Sequence, residues 1–462
     1  MSEAQSAHTP QGAPGIIVTI CAFTMTLACI LWNLDVPTRL KMAILTEQYL
    51  ALELGLALCI LFLTCDFSGA KTKSPDRFNQ ALALLGLGTL FYVAANYAWL
   101  LQEQAYRPPV LTFVGAVVML GVLEGIRRRS GWTLFVIVGA FILYALFAHL
   151  MPGPLIGRQM SLTNLVQYVG FDPSAAFSIP LTIAAVIVLL FIFFGQLLFV
   201  AGGGEFFTDL AMAATGRTRG GSAKISVVAS ALFGSISGSA VSNVVTTGVI
   251  TIPLMRKSGY SDKDAGAIEA IASTGGQLTP PIMGAAAFLM AEFLEVSYTK
   301  VAVAAVLPAL LYYFSVFIQV DLIAARDRIS VSETGGASVG EIFREGWHFV
   351  VPFAVLLGAL FWWQVDPENA ALLSALSIVV VGSLRSYRGR RLTPKKLFDV
   401  FVDTGVSMVD LLLIVTAAGF VIGILNVTGL GFGLTLLLVD SVGGNLILIL
   451  LASAVICIIL GM

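Results

Sequence analysis

The run from Ile225 to Met255 carries no charge and is long enough to pass for one transmembrane helix, but Gly234-Ser235-Ile236-Ser237-Gly238-Ser239 sits in its middle. A spanning helix needs about 20 predominantly apolar residues, and the arm from Lys224 to Phe233 rises only about 15 Å, half the hydrocarbon thickness. Neither arm crosses a bilayer alone. A second interruption, Ser273-Thr274-Gly275-Gly276-Gln277-Leu278-Thr279-Pro280-Pro281, follows inside another apolar segment. Irregular backbone at membrane depth is tolerated only where it is buried in protein or lines a cavity, so two breaks close together mark a candidate binding site.

The rest of the chain is built for lipid. Of 462 residues, 58% are hydrophobic and 11% charged, with a mean hydropathy of +0.92. The fold class is an all-α polytopic membrane protein with about 11 transmembrane helices plus re-entrant hairpins. A net charge of -1, with basic residues scattered between apolar runs, provides no nucleic-acid surface. The polar tail 1–14 lacks Lys and Arg, and the apolar run behind it outlasts a signal-peptide core, so it reads as a retained first helix. Cys21, Cys29, Cys59, Cys65 and Cys457 show no metal-like spacing and read as small buried hydrophobes.

In order, apolar segments occupy Gly15 to Leu34, Met42 to Cys65, Phe78 to Leu100 and Val110 to Glu124, and Arg127-Arg128-Arg129 separates them from Trp132 to Leu150. Ile179 to Val200 ends in Gly202-Gly203-Gly204, a stop signal, and Glu205 to Ala214 reads as an amphipathic piece along the interface. After the breaks come Val301 to Val320, Phe349 to Trp363, Ala370 to Leu384, Leu397 to Val427, an arm from Leu430 to Gly444 and a last apolar run. The second and fourth loops hold Lys71, Lys73, Arg77 and Arg127 to Arg129, against Arg39 and Lys41, Arg107, and Arg158 in the first, third and fifth. By the positive-inside rule the N-terminus is cytoplasmic, as is the basic linker Arg385 to Lys396.

An internal repeat runs through the second half. Gly220 over Gly443 gives a constant offset of 223 as far as Gly238 over Gly461, with seven of nineteen positions identical, among them Ala229-Ser230-Ala231 over Ala452-Ser453-Ala454. The first copy is flanked by Arg217, Arg219, Lys224, Arg256 and Lys257, whereas Leu397 to Met462 contains no Lys or Arg. The copies therefore enter from opposite faces, the inverted repeat of secondary transporters with a midplane site.

Between Ser230 and Thr247 stand Ser230, Ser235, Ser237, Ser239, Ser242, Thr246 and Thr247, with Asn243 and no charge. Such oxygens suit a hard monovalent cation, and the N-terminal end of the second half-helix favours an anionic group. Gly275-Gly276 exposes backbone oxygens opposite, and Pro280-Pro281 can restart a helix without losing a bond. Gly234-x-x-x-Gly238 also fits a close helix-packing face, and the Pro-Pro break tips the balance toward a site. Glu269 admits two readings, a proton or cation partner or a solvated carboxylate paired with Lys263 at the cytoplasmic entrance, the second being the simpler. Asp403 and Asp410, seven apart, share a helix face and admit a buried reading, with pairing to the basic linker the simpler one for Asp403. No G-x-x-x-x-G-K-[ST] occurs, so the chain is not an ATP-driven motor, and Gly86-Leu87-Gly88 lacks a strand-helix setting. His8, His149 and His348 lie in the tail or at span ends, which leaves Ser237 without a base for hydrolase chemistry.

Four stretches carry a family resemblance: Gly220-Gly221-Ser222-Ala223-Lys224; Gly234 to Ala240; Ile252-Pro253-Leu254-Met255; and Ser273 to Gln277 followed by Pro280-Pro281-Ile282-Met283-Gly284. The chain resembles the fused membrane permease of TRAP transporters, tripartite ATP-independent periplasmic uptake systems, in the variant paired with TAXI-type binding proteins. The resemblance implies a small-subunit-like four-helix domain at 15–129 and a large-subunit-like, elevator-type transport domain at 130–462. It implies import of small organic anions, carboxylates, across the bacterial inner membrane with a cation gradient, sodium being the coupling ion, and delivery by a periplasmic binding protein. Sodium coordination falls by motif at Ser237, Ser239 and Asn243 and at Thr274, Gly275, Gly276 and Thr279. Substrate contacts are expected at Ser239, Ser242, Thr246 and Gln277. The family's second hairpin has a Gly- and Pro-containing tip; the sequence stops at the position aligned with it, so the second repeat is expected to be incomplete. The reading from another class is a non-transporting membrane scaffold or assembly subunit.

Overall fold

The computed structural model describes residues 10, 12–329, 338–433, 436 and 445–461. His8, Gly443, Gly444 and most of the arm from Leu430 to Gly444 lie outside the described residues. Uncharged runs in lipid must satisfy every backbone group internally, and the helix is the local way to do so. Five helices come first: α1 (Ala13–Asn33), α2 (Thr46–Thr64), α3 (Arg77–Tyr106), α4 (Pro109–Ser130) and α5 (Trp132–Leu150). The short α6 (Leu162–Phe171) precedes α7 (Ile179–Ala201). Five shorter helices follow, α8 (Gly203–Thr215), α9 (Gly221–Ser237), α10 (Ala240–Lys257), α11 (Asp262–Thr274) and α12 (Ala285–Phe293). Long helices return as α13 (Tyr298–Arg326), α14 (Val339–Trp362), α15 (Pro367–Leu384) and α16 (Pro394–Thr428), and the last described helix is α17 (Leu446–Gly461). Ten of these, α1 to α5, α7 and α13 to α16, are long and apolar enough to cross a membrane among the described residues. Of the cysteines, Cys21, Cys29, Cys59 and Cys65 are buried, but Cys457 is exposed, because α17 leaves most of its described surface open.

The chain divides into two compact units. One contains Ile44–Thr182 and the described residues from Val409 on, with residues 12–18; the other contains Thr19–Ala43 and Ile183–Met408. In the first, the Arg127-Arg128-Arg129 triplet is not a loop but the last turn of α4. Cations there complement the helix dipole, and each has a partner. Arg127 and Arg128 bond Glu124, Arg128 also donates to Asn79 Oδ1 at 2.8 Å, and Arg129 pairs with Asp410.

In the second unit the apolar side of α8 is packed against its neighbours. Phe206 and Phe207 are buried against Phe349, Phe353 and Tyr387. The basic linker closes over its polar side, where Arg390 meets Glu205 at 2.5 Å and Arg388 and the Tyr387 hydroxyl meet Asp209 at 3.0 and 2.9 Å. Burial lifts the Asp209 carboxyl above its usual range, and these two partners oppose the rise.

α9 and α10 form a hairpin whose tip is only Gly238 and Ser239. The break is narrower than the sequence indicates: α9 runs on to Ser237, and Gly238 stops it with a left-handed φ of 58°. A side chain at Gly238 would also strike the Met283 carbonyl. Ser239 caps α10, its hydroxyl accepting from Ser242 N at 3.3 Å. The facing break consists of a 3₁₀ turn, Gly275–Leu278, and a turn through the cis Pro280-Pro281 bond. The prolines do not restart the helix: α12 begins at Ala285, after Gly284 donates to the Gln277 carbonyl at 2.9 Å. Gly234 stays helical because it is needed for packing, since a Cβ on Gly276 would lie 2.6 Å from its Cα. Gly276→Ala is therefore expected to destabilise the protein by about 1–3 kcal/mol through overpacking, read as a lower thermal midpoint in detergent.

Candidate functional site

Three helices of the second unit present polar residues to one another at helical spacing. Ser226 and Ser230 lie four apart on α9, Asn243, Thr247 and Thr251 on α10, and Glu269 and Ser273 on α11, so each set shares a face. All seven are buried. Behind them Val227, Met255, Ile268, Ala272, Val316 and Val320 form the apolar core that joins these helices to α13.

Asn243, with no exposed surface, links the three helices. Its Nδ2 donates to the Ser230 carbonyl of α9 at 2.9 Å and to the Ser273 carbonyl of α11 at 3.3 Å. A Cβ on Gly276 would lie 3.2 Å from the same nitrogen, which places the second break beside it. The last carbonyls of a helix have few intrahelical partners, and α13 gives two of those in α11 a side-chain donor. The Tyr312 and Tyr313 hydroxyls donate to Ile271 O at 2.7 Å and Ala272 O at 3.1 Å.

Glu269 is neither solvated nor paired with Lys263. It is fully buried, whereas Lys263 is exposed. The side chain points across α11 into the hydroxyl face because its own helix packs that way. Five hydroxyls surround it: Thr247 at 2.5 Å, Ser273 at 3.2 Å and Ser230 at 3.3 Å from Oε1, and Thr251 at 2.5 Å and Ser226 at 2.7 Å from Oε2. Among the described residues no ion pair to Glu269 is present. Ser226, Thr251 and Ser273 were missing from the sequence-level candidates, although their four-residue spacing to Ser230, Thr247 and Glu269 was there to read.

The other candidates divide. Ser237, Ser239 and Ser242 gather at the hairpin tip, where Ser237 Oγ donates to Ser239 O at 3.4 Å. Gly275 and Gly276 are buried, and Thr279 Oγ1 donates to the Gly275 carbonyl at 2.8 Å. Thr274 turns its hydroxyl back onto Ala270 O at 2.7 Å and is exposed, as is Gln277; Thr246 is partly buried.

Broken helices that meet at a buried polar centre in a multi-pass helical chain are the arrangement in which transporter binding sites are built. The family model described as "Tripartite ATP-independent periplasmic transporter, DctM component" matches residues 117–462, and the chain belongs to that family. Relatives include a C4-dicarboxylate TRAP transporter large permease protein of Pseudomonas aeruginosa, 28% identical over 49% of this chain and 52% of its own length. A sialic acid TRAP transporter permease protein of Haemophilus influenzae is 24% identical over 77% of this chain and 54% of its own. The Salmonella typhimurium protein YgiK is 25% identical over 60% of each. The chain thus spans between 52% and 60% of the length of these curated relatives.

Asn243→Ala removes both cross-helix hydrogen bonds. It is expected to cost about 1–3 kcal/mol, measured as a lower thermal midpoint of the purified protein without sodium.

Proposed function

We propose that the chain is a permease that imports small organic anions, carboxylates, by secondary active transport driven by a cation gradient, with sodium as the coupling ion. It sits in the bacterial inner membrane with its N-terminus in the cytoplasm, and the anion arrives on a periplasmic binding protein. Residues 15–129 act as the small-subunit-like part and 130–462 as the transport part. The observation that carries this reading is Asn243, which joins the hairpin carrying Gly238-Ser239 to the break carrying Gly275-Gly276. Sodium is held by oxygens of Ser237, Ser239, Asn243, Thr274, Gly275, Gly276 and Thr279. Ser239, Ser242, Thr246 and Gln277 meet the anion near the N-terminal end of α10, whose dipole favours negative charge. Relatives named for C4-dicarboxylates and sialic acid, both acids, support this substrate class.

The repeat supports an inverted, elevator-type layout. Shifted by 223, α9 maps onto residues 444–460, and α17 occupies Leu446–Gly461.

Proteoliposomes holding the permease and the binding protein are expected to accumulate substrate only with an inward sodium gradient; uptake unchanged when that gradient is collapsed excludes sodium coupling. Sodium is also expected to raise the thermal midpoint of the purified protein, since a ligand at a hundred times its Kd adds about 2.7 kcal/mol. Asn243→Ala is expected to lose that rise. A wild-type protein indifferent to both sodium and substrate would be a scaffold.

A further inference from the structure

We infer that Glu269 is a proton-binding site, a second cation position beside the sodium site, which takes up and releases a proton during the transport cycle. Its role in transport rests on the proposed function; its capacity to bind a proton rests on the cage alone.

The hydrogens of the cage can be counted. Each threonine hydroxyl has one hydrogen, and both a carboxyl oxygen and a backbone carbonyl of its own helix in reach. Thr247 Oγ1 lies 2.8 Å from the Asn243 carbonyl and 2.5 Å from Glu269 Oε1. Thr251 Oγ1 lies 3.0 Å from the Thr247 carbonyl and 2.5 Å from Oε2. With Glu269 ionised, both threonines point their hydrogens at the carboxylate, along with Ser226, Ser230 and Ser273. When a proton arrives, it binds one carboxyl oxygen, and the threonine facing it turns its hydrogen to the carbonyl one helical turn back and accepts the new O–H. The site goes from a charge of -1 to neutral, the proton stays on Glu269, and only a hydroxyl hydrogen has moved. Both states keep the buried carboxyl hydrogen-bonded, which is what makes either one tolerable inside protein.

The cage favours a proton over a metal ion at this position. Its hydroxyl oxygens are already in hydrogen-bond contact with the carboxyl, and Gly248 packs against the stem, where a Cβ would lie 3.2 Å from Glu269 Cγ. Charged groups on the packed elements are engaged elsewhere or exposed. On α9, Lys224 Nζ bonds Asp321 of α13 at 2.7 Å, and Arg219, before α9, bonds the same carboxylate. Arg256 of α10 pairs with Asp262 of α11 at 2.5 Å; Asp264 accepts from Ser261; Lys257, Lys263 and Lys300 are exposed; Arg326 pairs with Asp327. Tyr312 and Tyr313 donate to carbonyls of α11. Among the described residues, then, no cation neutralises Glu269, and the hydroxyls alone hold its charge.

The cage also adjoins the candidate sodium site. Thr247 Oγ1 is 3.4 Å from Asn243 Oδ1 and 3.2 Å from Ser230 Oγ, so turning its hydrogen redirects the donor nearest the Asn243 amide oxygen.

The test uses the full chain. Infrared difference spectra between acidic and alkaline buffer are expected to show a carboxylic-acid carbonyl band in the wild type that Glu269→Gln removes. Thr251→Val, which takes one donor from the carboxylate, is expected to move the midpoint of that band to higher pH. A spectrum unchanged by Glu269→Gln, or a midpoint unmoved by Thr251→Val, overturns the site. In proteoliposomes with the binding protein, an imposed inward proton gradient is expected to raise uptake by the wild type and not by Glu269→Gln; an equal response in both overturns the coupling role. If the wild type carries no substrate under any gradient, the transport reading fails while the infrared result still decides whether Glu269 binds a proton.

Discussion

A helix that ends inside a membrane leaves carbonyls that no water can reach, and this constraint organises the second unit. α11 stops at Thr274, and its final carbonyls are taken by Tyr312, Tyr313 and Asn243, side chains from two other helices. For Asn243 to reach Ser230 and Ser273 together, α9 and the 3₁₀ turn must approach closely, and only glycine at 234 and 276 allows it. Packing and polar satisfaction are therefore one requirement here. Of the sequence readings of Gly234-x-x-x-Gly238, the close packing face is the one this contact shows at Gly234.

Charge follows a similar logic. Where a cation is available, the carboxylate is paired: Asp321 with Lys224 and Arg219, Asp209 with Arg388, and Asp410 with Arg129. Glu269 is the buried carboxylate of this unit held by hydroxyls instead. Neutral donors stabilise a charge without cancelling it.

Much of the architecture was legible in the one-dimensional pattern. Apolar runs located the long helices to within a few residues at most ends, because the bilayer demands both length and hydrophobicity. Gly202, Gly238 and Ser239 announced helix ends through backbone freedom and capping. Residue type also placed the polar centre on the Ser230 to Thr247 stretch. Other features stayed hidden. The Arg127 to Arg129 triplet looks like a loop until Glu124, Asn79 and Asp410 are seen around it. Pro280-Pro281 looks like a helix start until the turn to Ala285 is traced.

What the sequence determined by itself was a membrane-embedded helical chain of a transporter family with two breaks in its apolar segments. What only the tertiary structure decided was which polar groups meet. Lys263 is six positions from Glu269 in the chain and exposed, whereas Ser226 and Thr251, far more distant along it, lie within hydrogen-bonding distance of its carboxyl. Partners in a membrane protein are chosen by which helix faces pack together, and that choice depends on glycines and small side chains whose effect appears only when the helices are in contact.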